Sequence, residues 1–223
     1  MKIMSFNARE WSRDIKKSSP YYWKKRMEAM KKMIADNNPD VICFQELSFP
    51  ACNYIPKGYK RVGLMINHPI YVRKDTTTKN NSWGIHYSKT NVYLDASHSV
   101  RVINVHSHWN ENVIKKTMED IHNEFSESTK HPVIACGDFN NFIEQIDEIC
   151  ENSFGEKYTC VREYLKMKKE DTFQNFTKES SHGEIDFFFT THNYLSVDFK
   201  IIKNGYGVDK ISDHYPIVLQ ITL

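Results

Sequence analysis

Long apolar runs are missing from this chain. No segment approaches the ~20 consecutive apolar residues that a membrane-spanning helix needs, so no membrane span is expected. The start, Met1-Lys2-Ile3-Met4-Ser5-Phe6-Asn7, also lacks the apolar stretch of a secretory leader. Cysteine is sparse and its count is odd: Cys43, Cys52, Cys136, Cys150 and Cys160, with no Cys-x-x-Cys pair. That argues against a disulfide framework and against a thiolate zinc site, and for a reducing compartment such as the cytoplasm. Charge of one sign is not in excess. At a net +2, the chain does not have the field of a protein that wraps nucleic acid by charge alone. There is no Gly-x-Ser-x-Gly elbow of a serine hydrolase and no Gly-x-x-x-x-Gly-Lys phosphate loop. Low-complexity linkers and internal repeats are absent too, so a single domain over residues 1–223 is expected.

What is present is globular. Of 223 residues, 40% are apolar and 26% charged, with 12 Tyr, 13 Phe and 4 Trp, far more aromatic content than a disordered chain carries. A strand is expected over Lys2 to Phe6. Ser19-Pro20 reads as a helix start, with Trp23, Met27, Met30 and Ile34 at helical spacing and Asn37-Asn38-Pro39 as its stop. Val41-Ile42-Cys43-Phe44 is continuously apolar, as in a strand covered on both faces. Further strands are expected at Tyr59 to Met65, Ile70 to Arg73, Gly84 to Tyr87 and Val92 to Leu94, then through Val100, Val102 and Val105 to His106. Asp75 to Asn81 reads as a polar turn. A second helix covers Glu111 to Glu127, followed by a strand at Pro132 to Cys136 and partly helical sequence from Phe142 to Lys169. Ile185 to Thr190, Val197 to Ile202 and Tyr215 to Leu223 close the chain as strands. Dominant strands with interspersed helices give an α/β or α+β domain with stacked sheets.

Polar clusters lie at or just past the C-terminal ends of expected strands: Asn7, Gln45-Glu46, His106-Ser107-His108 and Gly137-Asp138-Phe139-Asn140. Ser212-Asp213-His214 joins them, and Asp186 sits inside the apolar run Ile185 to Phe189. Singly, each has a plain explanation. Asn7 and Gly-Asp-Phe-Asn suit turns, and a lone His106 suits a hydrogen-bonded core histidine. Glu46 and Asp186 are harder to dismiss, because a carboxylate against apolar sequence needs a partner or a cation. Together they supply carboxylates, amides and imidazoles. Such an oxygen-rich set suits Mg2+ or Mn2+ rather than zinc, and phosphoester chemistry.

The ordered series Ser5-Phe6-Asn7, Gln45-Glu46, Asn104-Val105-His106, Gly137-Asp138-Phe139-Asn140, Ile185-Asp186 and Ser212-Asp213-His214 resembles the endonuclease/exonuclease/phosphatase superfamily, the deoxyribonuclease-I-like fold. The resemblance spans Asn7 to His214. It implies a four-layer α/β/β/α sandwich of two mostly antiparallel sheets flanked by helices. It also implies roles. Glu46 would be the principal metal ligand, with Asn7 nearby holding metal or phosphate and Asp213 holding a second metal or supporting the first. Asp138 would orient or deprotonate water, and Asn140 would bind the scissile phosphate. His214, fixed by Asp186, would contact that phosphate or transfer a proton, and His106 would donate to a phosphoryl oxygen. Two positions depart from the common pattern. Glu184 stands where many nucleases of the family have Arg, and Arg9 stands where some have an acid. Arg9 would then contact phosphate.

The expected function is a divalent-metal-dependent phosphodiesterase acting on nucleic acid, a nuclease. Arg9, His108 and Trp109 are the candidate substrate contacts. Trp11 and Phe142 are candidates for stacking on bases, and Arg162, Lys166, Lys168 and Lys169 for backbone phosphates. The alternative is a phosphatase or phosphodiesterase for a small or lipid phosphoester such as an inositol phosphate. A non-catalytic binding module is the least favoured, because every acidic and histidine motif is present. A monomer is expected.

Overall fold

In this computed structural model, residues 1–62, 68–84, 86–95, 98–127, 131–174, 176, 182–191 and 196–222 are described. Two parallel strand pairs organise the chain. β1 (Lys2–Asn7) and β2 (Val41–Gln45) run parallel with Asn7 opposite Gln45, and α1 (Trp23–Asn37) makes the crossover. β7 (Ser99–His106) and β8 (Val133–Asp138) repeat the arrangement through α2 (Glu111–Glu127).

The remaining pairings are antiparallel. They involve β3 (Tyr59–Val62), β4 (Ile70–Arg73), β5 (Thr77–Trp83), β6 (Tyr87–Tyr93), β9 (Asp186–Thr190), β10 (Ser196–Ile201) and β11 (Ile217–Thr222). One sheet has the order β10-β11-β1-β2-β4-β3 and the other β5-β6-β7-β8-β9.

Strand alternation sorts the core into three seams. Ile3, Val41 and Cys43 meet Val100, Val102, Ile134 and Cys136 between the sheets. Met4, Phe6, Ile42 and Phe44 face α1 through Met27, Met30 and Ile34. Ile103, Val105, Val133 and Ala135 face α2 and α3 (Ile143–Phe154) on the other side. The result is the expected four-layer α/β/β/α sandwich, with both sheets mostly antiparallel. All five cysteines are free, and no described helix is long and apolar enough to cross a membrane.

Some boundaries differ from expectation. α1 begins at Trp23 with Tyr22 as its cap residue, not at Ser19. Ser19 instead uses its hydroxyl to accept the Tyr21 N–H at 3.1 Å, closing a turn that precedes the helix. Asn38, left-handed at φ 44°, ends α1 as the Asn-Asn-Pro signal implied. Asp75 to Asn81 is not a turn, because β5 begins at Thr77. As an edge strand it is polar for the reason edges usually are, and Thr77 and Thr78 favour extended backbone. The ends of two expected strands, residues 63–65 and 223, lie outside the described residues, and of the strand expected over Gly84 to Tyr87 only Tyr87 is in one, because Gly84 and His86 fall between β5 and β6 and residue 85 lies outside the described residues.

Gly137 in β8 shows how tightly the β7–β8 edge is built. Its φ is +148°, and a Cβ there would sit 1.9 Å from the Val105 carbonyl oxygen in the neighbouring strand. Gly137→Ala must therefore push β7 and β8 apart. A loss of at least ~3 kcal/mol is expected in a urea melt, from the overpacking and strain terms together. A loss under 1 kcal/mol would show that the strands yield there.

Candidate active site

Register builds the site. His106 lies opposite Asp138 across the parallel β7–β8 pair, and Asp138 lies opposite Asp186 across the antiparallel β8–β9 pair. One cross-strand row of the second sheet thus carries an imidazole and two carboxylates. In the first sheet the Asn7–Gln45 row ends at the same edge, with Glu46 one residue beyond. Sheet packing brings the two rows face to face. The buried Gln45 amide donates to Asn104 Oδ1 at 2.6 Å, and the Asn7 amide donates to Asp138 Oδ2 at 2.9 Å.

Glu46 is held on the near side. Its Oε1 accepts from the Asn7 amide at 3.3 Å and its Oε2 from the Glu10 N–H at 2.9 Å. Its backbone is left-handed at φ 57°, as is that of Asn140 at 53° and Arg9 at 54°. Three site residues in this region mean that the chain tolerates strain where the side chains must converge.

Asp138 is 1% exposed. Its Oδ1 accepts the Asn140 N–H at 2.8 Å, while its Oδ2 lies 3.8 Å from His106 Nε2 and 3.7 Å from His214 Nε2. Both distances are too long for a direct hydrogen bond. His106 Nε2 is also 3.9 Å from Glu46 Oε1.

His214 pairs with Asp186 through Nδ1 at 3.0 Å. Burial opposes its charge, but Asp186 and then Asp138 outweigh that and raise its pKa to about 10. Burial likewise pushes the Asp186 carboxyl up, and His214 offsets it only in part. The Thr172 hydroxyl, from a segment without periodicity, accepts the Asp186 N–H at 3.1 Å, and Phe173 packs on the His214 ring at 5.0 Å. Ligand atoms of Asp138, Asp186 and His214 lie within 4.8 Å of one another. A protonated His214 is itself the cation of that trio and offsets one of its two carboxylates.

The carboxylates fit a divalent ion elsewhere. Glu46 and Asp138 share a single Asn7 amide and approach the same His106 nitrogen. Two anions converging on one point are stabilised by a hard cation, and their oxygens suit Mg2+ or Mn2+.

The open face is a cleft of about 520 Å3. Glu46, His106, His108, Trp109, Asp138, Asn140 and His214 line it, joined by Arg13, His68, His86 and Phe173. His68 and His86 carry no motif signal. Burial, with His106 and His86 adding to it, lowers the His68 pKa to about 4, so the ring is neutral near pH 7. Trp109 is 74% exposed and lies over His108, 4.8 Å between ring centres.

Other candidates fall elsewhere. Arg9 and Asp213 bind each other at 2.5 Å and are not among the cleft-lining residues. Arg162 is buried against Glu184, the residue at the departing family position, and is not free for phosphate. Lys169 pairs with Glu144 at 2.7 Å, and Trp11 packs against Trp23 beside α1.

The sequence profile described as "Endonuclease/Exonuclease/phosphatase family" matches residues 4–214. No curated protein sequence matches the chain. Among solved structures, humanized D. rerio TDP2 superposes with a TM-score of 0.77 at 17% identity, covering 100% of this chain and 99% of that one. D. rerio TDP2 complexed with single strand DNA product gives 0.75 at 18%, covering 100% and 99%. An endonuclease/exonuclease/phosphatase from Bacteroides vulgatus gives 0.72 at 17%, covering 100% and 98%.

Proposed function

Because the chain belongs to the endonuclease/exonuclease/phosphatase family, whose reaction class is phosphoester hydrolysis, we propose that it is a divalent-metal-dependent phosphodiesterase that cleaves nucleic acid. The observation that carries this reading is the convergence of Glu46, His106, Asp138, Asn140 and His214 on one open cleft. Two further points favour nucleic acid over a small phosphoester. A structure with the same fold is complexed with single-stranded DNA product, and Trp109 offers an exposed ring at the cleft wall on which a base can stack.

Glu46 would hold the ion, with Asn7 and the Glu10 N–H fixing its carboxylate. When bound, the ion supplies positive charge to a phosphoryl oxygen and makes the phosphate a better electrophile. Asp138 accepts a proton from the attacking water, since its Oδ2 faces the cleft between two imidazoles. Asn140 and His106 donate to the non-bridging oxygens as charge builds there. His214, kept protonated by Asp186, donates from Nε2 to a phosphate oxygen opposite Asp138. The left-handed backbones at Glu46 and Asn140 aim both side chains before substrate arrives.

The test is cleavage of labelled single- and double-stranded DNA and RNA with Mg2+, Mn2+ or chelator. Cutting should require metal and fall ~10²–10⁴-fold in His214→Ala. If well-folded protein cuts no nucleic acid, the substrate is instead a small phosphoester, and inositol phosphates are assayed next.

A further inference from the structure

Two oxygens that could have served a second cation are already engaged, both by one residue. Asp213 Oδ2 accepts from Arg9 Nη1 at 2.5 Å, and Asn7 Oδ1 accepts from the Arg9 backbone N–H at 2.9 Å. Arg9 is anchored from behind as well. Its Nε donates to Asp14 Oδ2 at 2.9 Å, and its guanidinium carbon lies 4.9 Å from the centre of the Phe176 ring. Only 19% of its side chain is exposed.

A divalent ion needs bare oxygen lone pairs at ~2.0–2.2 Å. At Asp213 it would have to displace a guanidinium held by two carboxylates and an aromatic face, and it would meet that positive charge at close range. A guanidinium, unlike an ion, does not dissociate, and it stays charged at any working pH.

We infer that Arg9 is a resident cation that holds Asp213 in place of a second divalent ion and limits the site to one ion, at Glu46. The inference rests on the metal-dependent reading above. Arg9 is then a positioning residue. It ties the Asn7-Ala8-Arg9 turn to the Ser212-Asp213-His214 turn, where the Ser212 hydroxyl also donates to the Asn7 carbonyl at 2.7 Å. A purely structural tie would hold the same two turns, but it would have no effect on how many ions bind.

The experiment counts ions. Mn2+ is titrated into metal-free protein and free ion is read by electron paramagnetic resonance, with circular dichroism to confirm folding. Wild type should bind one ion, and Glu46→Gln should bind it at least ten-fold more weakly. Arg9→Asp should bind two, Arg9→Gln should gain a second and weaker ion, and Arg9→Lys should keep one. Two ions of comparable affinity in wild type would overturn the inference. So would folded Arg9→Asp and Arg9→Gln variants that still bind only one. Wild type that binds no ion yet cleaves phosphodiesters would sink the metal-dependent reading itself, and the role of Arg9 with it.

Discussion

Asp138→Asn should lower phosphodiester turnover by ~10²–10⁴-fold while the protein stays folded. The substitution is nearly isosteric, so packing is preserved. What changes is one oxygen, which becomes an NH2 donor. If that group takes the Oδ2 position, it faces the Asn7 amide, itself a donor at 2.9 Å, and a protonated His214 ring at 3.7 Å. If it takes the Oδ1 position, it faces the Asn140 N–H, now bonded at 2.8 Å. Either rotamer leaves a buried donor without an acceptor, at a cost of ~1–3 kcal/mol. Neither accepts a proton from water. Turnover of an oligonucleotide and a thermal melt, run side by side, decide the matter. Activity within ten-fold of wild type would remove Asp138 from the role of proton acceptor.

The second large effect concerns the buried pair behind it. Asp186→Ala strips His214 of the partner that keeps it charged at 5% exposure. Breaking a buried pair by removing one member costs ~3–5 kcal/mol, because the remaining charge is uncompensated. The ring escapes part of that cost by losing its proton, which gives the effect a pH signature. In the folded chain His214 titrates at about 10, against an ordinary 6.5. Protonation therefore favours the folded state. That contribution is complete below pH 6.5 and is lost as pH rises from 6.5 through about 10. Melts of metal-free wild type should decline across this window, and Asp186→Ala should be less stable and nearly flat there. A wild-type profile as flat as the variant's would mean that His214 is neutral in the folded protein, and its role as a donor to phosphate would fall with it.

Much of this arrangement was legible in the chain. Glu111 to Glu127 is the helix that its apolar spacing implied, and the Val41 to Phe44 run is a strand buried on both faces. Local rules reach such elements because a strand or helix repeats within a few residues. They failed at β5, where an edge strand carries the polar composition of a turn. They also failed at α1, where Ser19 satisfies a local turn three residues before the helix cap. His68 and His86 were invisible because nothing about a single histidine announces the cleft it will face.

The sequence by itself determined the family, the order of most strands and helices along the chain and the inventory of acids, amides and imidazoles at strand ends. Those follow from local order along the chain. The tertiary structure alone decided which of these groups meet. His106, Asp138 and Asp186 share a row only because three strands pair in one register. Arg9 and Asp213, 204 positions apart, bind each other, and Arg162 pairs with Glu184. A charged group takes whichever partner packing brings within bonding distance, and that distance is a property of how the sheets stack, not of neighbours in sequence.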